Sequence, residues 1–588
     1  MAASAPRRTI DVIDRRIGLL FGLFVLLLLA GILRAGYLGL LRGSALRAAA
    51  VSEQVQTTVI PAQRGEITDR SGTPLALSEP TDLVTVDPYL IRSTYKNPQK
   101  IAAALAPLIG MPPTATLAAI TKPRTGYVKL GEYVPAASAA KIMALGINGI
   151  NDYPTERRLY PGGTEAAQVV GWAGDHDNGL TGIEGLFNPQ LAGVSGIRRT
   201  VLDGQGKPIS VTSTKPMIPG ENIQLTLSGP LQAEVEQVID AVGNKYHAQG
   251  VTAIVSDPQT DQLLAVANWP QVNASDPAAT AFQSVNGHVP AAEDQAVDMS
   301  YEPGSTFKVV TVGGALQEGL VTPSSPFTIP PYLSAYGKQI YDAEMHGTET
   351  LTVAQILKVS SNIGADLIAR RLGPVSFARW VKRFGFGRAT GVDLPGEQIG
   401  IVLPESKYNG LSMYNMPFGQ GVSVTPMQMV QAYDAVADGG ILRTPQIIES
   451  IGGRRVRAPH GRRIVSARVA RQLRGMLRGV LTDGGTASGA AIPGYDMAGK
   501  TGTAQVAVDG KYSATEFIAS FIGMVPASDP KLVVAVVVND PQGVIYGGSV
   551  AAPAFQQIVG WAVPHFGIDP CPAPCPASAF SSAAPNSL

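Results

Sequence analysis

Apolar residues along this 588-residue chain form one long run near the N-terminus and many shorter runs after it. The long run occupies 17–33 and continues past Arg34 to Leu41. A membrane-spanning helix needs about 20 predominantly apolar residues, and a long arginine side chain can reach the lipid headgroups. The pattern therefore predicts one transmembrane anchor over residues 17–41, after a short cytoplasmic tail over 1–16.

A cleaved signal peptide is the alternative interpretation of this segment. The run Ala48-Ala49-Ala50 is typical of a small-residue cleavage site, but it lies far beyond the apolar run, which favours an uncleaved anchor. Four arginines precede the run and three more interrupt or follow it. The charge asymmetry therefore favours a cytoplasmic N-terminus only weakly.

Between about residue 42 and residue 220, short strand-like runs alternate with alanine-rich helical runs such as 101–110 and 137–145. Two charged turns stand out, at 64–72 and at 182–187. Arginine and acidic side chains in such turns can fix loop geometry through charge-assisted hydrogen bonds. Because no catalytic cluster is apparent here, we interpret the turns as parts of a scaffold.

The pattern changes after residue 222. A long helical run over 230–246 precedes two strand candidates at 251–257 and 263–270, and two more strand candidates follow at 517–525 and 531–540. Strands that return after a helical region, with helices on either side, indicate one sheet covered by helices. We therefore predict an α/β (α+β) domain with an antiparallel sheet flanked by helices.

Composition narrows the possible functions. A chain of this length exceeds one ordinary core, so two or three domains are expected. The 46 basic and 45 acidic residues leave a formal charge of +1, which gives no general field for binding nucleic acid. The six histidines lack metal-ligand spacing, so neither a metal nor another cofactor is predicted.

Cys571 and Cys575 lie in a Pro-rich tail over 567–588 that we expect to be disordered. They can pair in an oxidising compartment, but we interpret them as incidental.

Three short peptides in a fixed order carry the candidate chemistry. They are Ser305-Thr306-Phe307-Lys308, Ser360-Ser361-Asn362 and Lys500-Thr501-Gly502-Thr503. The first pattern alone is uninformative, because S-x-x-K also occurs at Ser93, Ser138 and Ser528. The ordered combination, however, resembles the known signature of a serine acyl-transfer site.

Ser305 is the candidate nucleophile. Pro303 and Gly304 break the chain just before a helical run, so Ser305 falls at a helix N-terminus and Lys308 lies one turn further on the same face. A lysine can take the serine proton only as a free amine. The pKa of Lys308 must therefore fall from roughly 10.4 toward neutrality through burial and a nearby positive charge, which Lys500 can supply. Free N–H groups at the helix start are suited to holding an oxyanion.

A second polar group is predicted at a break between two helices. A capping-box pattern at Thr352 opens the first helix, and Ser360 and Asn362 precede a second helical run over 363–373. Ser360 can relay a proton toward a leaving amine, and Asn362 can hydrogen-bond a substrate amide or Lys308. A simple helix-ending turn is the alternative, which the flanking motifs disfavour.

The third peptide also fits a different motif, because residues 494–501 match the P-loop pattern G-x-x-x-x-G-K-[ST]. A P-loop follows a buried strand and opens a helix, whereas Pro493 precedes this segment and a strand-like alternation follows it. The context therefore disfavours nucleotide binding. On a strand, Lys500, Thr501 and Thr503 would instead offer a cation and hydroxyl groups to a carboxylate.

With these residues in place, the chain resembles the class B penicillin-binding proteins, which are membrane-anchored D,D-transpeptidases of bacterial cell-wall synthesis. The likeness extends from the anchor to about Phe566 and includes RGEITDRSGTPLA, YEPGSTFK, FGQGVSVTPMQM and GGTASGAAIPGYDMAGKTGTAQ. It implies a penicillin-binding/serine β-lactamase-like transpeptidase fold over 221–566 and an elongated N-terminal pedestal (dimerisation) domain over 42–220. The catalytic domain is then extracytoplasmic, on a single-pass protein of the cell membrane.

The resemblance also implies the first half of a reaction. Ser305 attacks the carbonyl of the penultimate D-Ala in a D-Ala-D-Ala stem peptide, with Lys308 as its base. Ser360 and Asn362 handle the proton and the substrate while the terminal D-Ala leaves. A side-chain amine of a second stem peptide then resolves the acyl-enzyme, and β-lactams acylate Ser305 as mimics.

Substrate binding is assigned in the same way. By resemblance, Lys500, Thr501, Gly502 and Thr503 bind the terminal carboxylate, and the backbone N–H groups of Ser305 and Thr503 form the oxyanion hole. A β-lactamase-like hydrolase and a non-catalytic penicillin-binding sensor or scaffold are the alternatives.

The resemblance is closer to the septal (FtsI) type of cell-division enzyme than to the elongation type, which is the alternative role. A chain with one anchor and a pedestal cannot polymerise glycan. The expected partners are therefore a SEDS-type glycosyltransferase and division proteins, in addition to the membrane, the stem peptides and β-lactams.

Overall fold

A computed structural model describes residues 8–44, 55–174, 177–202, 208–280, 284–285, 287–288, 290–458, 460–508, 510–572 and 575. The chain divides into two compact units that are interleaved along the sequence. Unit 1 comprises the residues up to 62 together with 82–155 and 194–218, and unit 2 comprises 63–81, 156–193 and 219–588. The domain limits set from the sequence remain predictions.

The α-helices are α1 (Arg8–Gly36), α2 (Pro88–Thr94), α3 (Pro98–Ile109), α4 (Pro113–Ile120), α5 (Ala136–Ala144), α6 (Ala167–Val170), α7 (Gly182–Leu186), α8 (Asn188–Leu191), α9 (Gly229–Tyr246), α10 (Pro277–Thr280), α11 (Gln295–Asp298), α12 (Lys308–Gln317), α13 (Val353–Val359), α14 (Asn362–Leu372), α15 (Pro374–Arg383), α16 (Ser412–Asn415), α17 (Pro426–Ala437), α18 (Ala467–Leu477) and α19 (Gly547–His565). A π-helical turn follows α1 at Tyr37–Leu41, and 3-10 turns lie at Gly304–Phe307, Glu405–Lys407, Met416–Phe418, Arg478–Leu481 and Ser488–Ala490.

The strands are β1 (Val55–Ile60), β2 (Ile67–Thr68), β3 (Pro74–Val86), β4 (Val128–Pro135), β5 (Ile150–Leu159), β6 (Gly196–Leu202), β7 (Pro208–Lys215), β8 (Ile223–Leu225), β9 (Gly250–Asp257), β10 (Gln262–Trp269), β11 (Pro326–Ile329), β12 (Leu333–Ala335), β13 (Lys338–Ile340), β14 (Glu349–Thr352), β15 (Ile441–Leu442), β16 (Ile448–Ile451), β17 (Arg454–Arg455), β18 (Arg462–Arg463), β19 (Ala498–Val508), β20 (Lys511–Val525) and β21 (Leu532–Asn539).

The N-terminal apolar run forms a helix, as predicted. Within the described part of the chain, one helix, Arg15–Leu41, is long and apolar enough to cross a membrane. Its side chains are almost all exposed, which suits a lipid environment rather than a protein core. The alternative cleavage site at 48–50 lies outside the described residues, and so does most of the tail that we expected to be disordered.

Unit 1 contains an antiparallel sheet in the order β1-β6-β7 and a separate cluster of helices. Helix α3 begins where the Asn97 side chain accepts a hydrogen bond from the backbone N–H of Lys100, and it ends at Gly110 in the left-handed conformation. Buried residues of α3 and its neighbours, including Leu105 and Ile120, form the core of this cluster. Residues of β3, β4 and β5 complete this apolar cluster.

The central sheet of unit 2 has five antiparallel strands in the order β10-β9-β21-β20-β19. Successive side chains of a strand point to opposite faces. In β21, alternate residues such as Val533 and Val534 therefore join different apolar clusters. Helices α9 and α19 cover one face, and α17 and α18 cover the other. This confirms the predicted antiparallel sheet flanked by helices and leaves β19 at an edge.

The two charged turns meet inside unit 2. The buried carboxylate of Glu184 accepts a hydrogen bond from Arg64 Nε at 2.7 Å and one from Arg158 Nε at 2.6 Å. A buried charge of this kind is tolerated only when it is paired and hydrogen-bonded. The cluster contains no solvent-exposed group, which agrees with our interpretation of these turns as scaffold.

The structure corrects one expectation at the C-terminus. Cys571 and Cys575 form a disulfide, whereas we interpreted them as incidental. The reason is local, because the backbone N–H of Cys571 donates to the carbonyl oxygen of Gly494 at 2.8 Å and holds the start of the tail against unit 2. A short segment fixed at one end brings two cysteines four positions apart within bonding reach.

Candidate active site

The candidate nucleophile lies in the 3-10 turn Gly304–Phe307, which leads directly into α12. Gly304 has φ of 54°, a left-handed conformation that favours glycine. Its N–H donates to the carbonyl oxygen of Gly419 at 3.1 Å, and the hydroxyl of Tyr433 donates to the carbonyl oxygen of Thr306 at 2.9 Å. The turn is therefore fixed from both sides, while Ser305 itself remains partly exposed.

Lys308 is the first residue of α12 and is fully buried. Its amine lies 2.9 Å from Ser305 Oγ, 2.8 Å from Asn362 Oδ1 and 3.1 Å from Ser360 Oγ. The carbonyl oxygen of Ser360 lies at 2.5 Å. The sequence expectation that Lys308 reaches the hydroxyl of Ser305 thus matches the geometry of the turn.

Ser360 and Asn362 lie at the corner between α13 and α14. Thr352 and Gln355 form a reciprocal capping box at the start of α13, as the sequence predicts. Ser360 ends that helix with φ of 63°, and Asn362 begins α14 two residues later. The sharp corner turns both side chains toward Lys308.

Lys500, Thr501, Gly502 and Thr503 occupy the edge strand β19. The buried amine of Lys500 donates to Ser360 Oγ at 2.8 Å, so a single hydroxyl lies between the two lysines. Because residues 498–508 form a strand paired with β20 and do not open a helix, the nucleotide-binding alternative is wrong.

The hydroxyl groups of β19 are held in place by their neighbours. Thr501 Oγ1 lies 2.8 Å from Thr486 Oγ1, and Thr503 Oγ1 accepts from the N–H of Gly547 at 3.1 Å. Gly502 permits the strand to lie close to the nucleophile turn, because a Cβ at this position would be 2.9 Å from the carbonyl oxygen of Pro303.

Burial controls the protonation of both lysines. It lowers the pKa of Lys308 to about 7, although the negative charges of Asp342 and Asp366 oppose the shift. It also lowers the pKa of Lys500 well below the usual range, and the positive charge of Lys308 adds to that shift. Because the two amines share the Ser360 hydroxyl, the site disfavours two ammonium ions at once. A free amine is therefore available at neutral pH.

The other S-x-x-K matches do not form such a site. The exposed Ser93 hydroxyl donates to the carbonyl oxygen of Leu90 in the same helix, and Ser138 lies half-buried on α5. Lys531, which follows Ser528, forms an ion pair with Asp529 at 2.8 Å. Only the match that begins at Ser305 is joined to the second and third motifs.

Three polar residues around the site were missed by the sequence interpretation. Asp342 and His346 lie in the segment between β13 and β14, and Asp366 lies on α14 just beyond Asn362. Both carboxylate oxygens of Asp366 are buried and have no hydrogen-bond partner among the described residues, and burial raises its pKa well above the usual range. None of the three belongs to a recognisable motif. The i, i+4 spacing of Asn362 and Asp366 on one helical face was the only available signal.

Comparisons with known proteins show which family the chain belongs to. A family model for the penicillin-binding protein transpeptidase domain matches residues 251–560, and a model for the penicillin-binding protein dimerisation domain matches residues 59–225. Stage V sporulation protein D of Bacillus subtilis is 33% identical, covering 94% of this chain and 85% of its own length. The peptidoglycan D,D-transpeptidase FtsI of Escherichia coli is 31% identical, covering 95% of this chain and 93% of its own.

Solved structures have the same fold. A peptidoglycan synthetase from Bifidobacterium adolescentis has a TM-score of 0.71 and 27% identity, covering 89% of this chain and 99% of its own. Penicillin-binding protein 3 from Mycobacterium tuberculosis, complexed with ampicillin, has a TM-score of 0.68 and 28% identity, covering 89% of this chain and 100% of its own. The likeness therefore extends over both units of the chain.

Proposed function

Because the chain belongs to the penicillin-binding protein transpeptidase family, we propose that it is a class B D,D-transpeptidase that cross-links peptidoglycan through an acyl-enzyme at Ser305. One observation carries the proposal. The buried amine of Lys308 lies 2.9 Å from Ser305 Oγ, and its pKa is lowered to about 7. A base with that pKa can take the serine proton at neutral pH.

The first half-reaction follows from these contacts. Ser305 Oγ forms a bond to the carbonyl carbon of the penultimate D-Ala and gives its proton to Lys308. Collapse of the tetrahedral intermediate breaks the bond to the terminal D-Ala, whose amine needs a proton. Ser360 Oγ, 3.1 Å from Lys308 Nζ and 2.8 Å from Lys500 Nζ, can pass that proton from Lys308 to the leaving amine.

The second half-reaction restores the enzyme. The amine of a second stem peptide attacks the acyl carbonyl carbon and gives a proton to Lys308. The ester bond to Ser305 breaks, a new amide joins the two peptides, and the serine oxygen recovers its proton. Asn362 Oδ1, 2.8 Å from Lys308 Nζ, keeps the amine directed into the site in both halves.

The edge strand β19 is the proposed binding surface for the substrate. Lys500 and the hydroxyl groups of Thr501 and Thr503 would bind the terminal carboxylate through N–H and O–H donors. The negative charge of the bound carboxylate would favour the protonated form of Lys500. Backbone N–H groups of Ser305 and Thr503 would stabilise the oxyanion. Gly502 would serve by keeping the strand close to the nucleophile turn.

The apolar helix Arg15–Leu41 supports a membrane anchor. We propose a single span with a cytoplasmic N-terminus and an extracytoplasmic catalytic domain, where the cell-wall substrate lies. The 31% identity to the protein named FtsI in Escherichia coli supports a role in septal division, beside a SEDS-type glycosyltransferase. Depletion should give filaments with unfinished septa, whereas round, wide cells with normal septa would assign the protein to elongation.

The chemistry is tested with a labelled penicillin and mass spectrometry of the full-length protein in detergent. The label should map to the peptide that contains Ser305, and Ser305→Ala should lose it while keeping the thermal unfolding midpoint. Label on Ser93, Ser138 or Ser528, or full labelling of Ser305→Ala, would exclude the proposed nucleophile. Rapid release of hydrolysed penicillin would instead favour the hydrolase alternative.

A further inference from the structure

The segment 341–346 crosses the catalytic corner, outside any strand or helix. The carboxylate of Asp342 accepts the N–H of Asn362 at 2.5 Å and that of Ile363 at 2.9 Å, and it accepts the hydroxyl of Ser361 at 2.6 Å. The first N–H groups of a helix have no partner within the helix, and a negative charge is favourable there. Asp342 thus binds the start of α14 at the residues of the second motif.

These bonds are additional to the cap that the helix provides for itself. Ser361 already caps α14, because its hydroxyl oxygen accepts the N–H of Gly364 at 2.8 Å. That cap leaves the N–H groups of Asn362 and Ile363 to Asp342, which both satisfies them and restrains Asn362. The carboxylate of Asp342 is therefore an additional restraint, and it is applied to Asn362.

The neighbouring carbonyl group fixes the side chain of Asn362 as well. Asn362 Nδ2 donates to the carbonyl oxygen of Tyr341 at 3.2 Å, which leaves Oδ1 directed at Lys308 Nζ at 2.8 Å. If the amide were rotated by half a turn, its NH₂ group would face the amine and the acceptor would be lost. The carbonyl group of Tyr341 and the carboxylate of Asp342 together hold Asn362 in the orientation that presents Oδ1 to Lys308.

His346 supports Asp342 from the solvent side. His346 Nε2 lies 3.1 Å from Asp342 Oδ2, while Nδ1 lies 2.7 Å from the carbonyl oxygen of Gly347 and 3.6 Å from the carboxylate of Glu349. Both ring nitrogens therefore face acceptors, and only the imidazolium has two N–H donors. The bond to Gly347 and the two carboxylates raise the pKa of His346.

We propose that Asp342 is a positioning residue for acylation: it fixes Asn362, and through Asn362 the amine of Lys308, with His346 orienting its carboxylate. The inference rests on the proposed function, since it concerns the same reaction. Asp342 does not touch the substrate position itself. It acts by restricting the groups that do.

The carboxylate also has an electrostatic effect that a purely structural residue would lack. Lys308 faces Lys500 across the Ser360 hydroxyl and also faces two carboxylates, Asp342 and Asp366. The two carboxylates oppose the lowering of its pKa by burial. Asp342 in turn faces His346, and His346 faces Glu349. Removing the charge of Asp342 therefore lowers the pKa of Lys308 further, and the free amine persists to lower pH.

The test uses full-length protein in detergent and the rate constant for acylation by a fluorescent penicillin, measured across the pH range. Asp342→Asn keeps the shape of the side chain but removes its charge. We expect the high-pH plateau to fall at least about tenfold, because small misplacements of reacting groups are costly. The midpoint of the acid limb should move to lower pH. Glu344→Gln, which removes an exposed charge from the same segment, should change neither.

The outcomes distinguish a failure of the positioning role of Asp342 from a failure of the proposed function. A wild-type plateau and midpoint in Asp342→Asn would overturn the positioning role. A lower plateau with an unchanged acid limb and a lowered unfolding midpoint would overturn it too, since that is a general loss of structure. If the wild-type protein is not acylated at Ser305, the proposed function fails instead.

His346→Gln gives an independent test if Asp342→Asn does not fold. Wild-type His346 is charged below its raised pKa and neutral above it. The variant should therefore acylate a few-fold more slowly than wild type at about pH 6 and equally fast at about pH 9. Equal rates for variant and wild type at both pH values would show that His346 does not orient the carboxylate of Asp342, and would overturn that part of the proposal.

Discussion

The close approach of β19 to the nucleophile turn gives a sharp test of the site at Gly502. A Cβ at this position would collide with the Ser520 hydroxyl and lie 2.9 Å from the carbonyl oxygen of Pro303. The short Ser520 side chain can rotate, but the Pro303 carbonyl belongs to the backbone. Relief of that contact requires the strand and the turn to separate by about half an ångström.

That separation should slow acylation much more than it unfolds the protein. Misplacement of reacting groups by about 1 Å costs about a hundredfold in rate, so half that distance costs about tenfold. We therefore expect Gly502→Ala to lower the acylation rate constant about tenfold, with a cost to the free energy of unfolding of about 1–3 kcal/mol.

The assay is acylation by a fluorescent penicillin, followed in parallel with thermal unfolding. Gly489→Ala is the matched control, because a Cβ at that position would meet no atom within 4 Å. It should acylate like wild type. A Gly502→Ala protein that acylates at the wild-type rate, or a control that loses as much, would refute the packing argument.

Two further predictions follow from charges. Acylation of the wild-type protein should rise about tenfold between about pH 6 and pH 8, since only neutral Lys308, with its pKa of about 7, can take the serine proton; a pH-independent rate would contradict this. Glu184→Gln removes the buried charge that pairs with Arg64 and Arg158, and it should lower the free energy of unfolding by about 3–5 kcal/mol. For unit 2 this corresponds to a fall of roughly 4 °C in Tm. Glu221→Gln, at an exposed ion pair, should lower the free energy of unfolding by at most about 1 kcal/mol. Equal shifts in the two variants would show that the buried cluster is not needed for stability.

The sequence predicted the parts of this protein whose structure is set locally. The apolar helix, the antiparallel sheet and the family are confirmed, because hydrophobic periodicity and ordered motifs can be recognised in the sequence itself. The capping box at Thr352 is confirmed for the same reason, since its two partners lie three residues apart. The roles of the motif residues stay predictions, although the structure brings Ser305, Lys308, Ser360 and Lys500 to one cluster.

Contacts that depend on tertiary folding were not predictable in the same way. Asp342 lies in a segment without periodicity, and its partners are about 20 positions away at Asn362 and Ile363. The four-residue spacing of Cys571 and Cys575 permits a disulfide but does not require one, so the sequence left their pairing open. Interleaving of the two units likewise has no compositional signal, because two crossings occur inside the continuous strands β3 and β5 and the others in short irregular segments.

The left-handed backbone of Ser360 has a consequence for how this chain can be redesigned. Its φ of 63° favours glycine, and a non-glycine residue there costs about 1–2 kcal/mol. Ser360→Gly would relieve this backbone strain but would also remove a hydrogen-bond partner from two buried amines, which costs about 1–3 kcal/mol. The variant would lack the hydroxyl between the two lysines. A redesign that judges this corner by backbone conformation alone would therefore admit glycine and remove the hydroxyl that we propose as the proton relay.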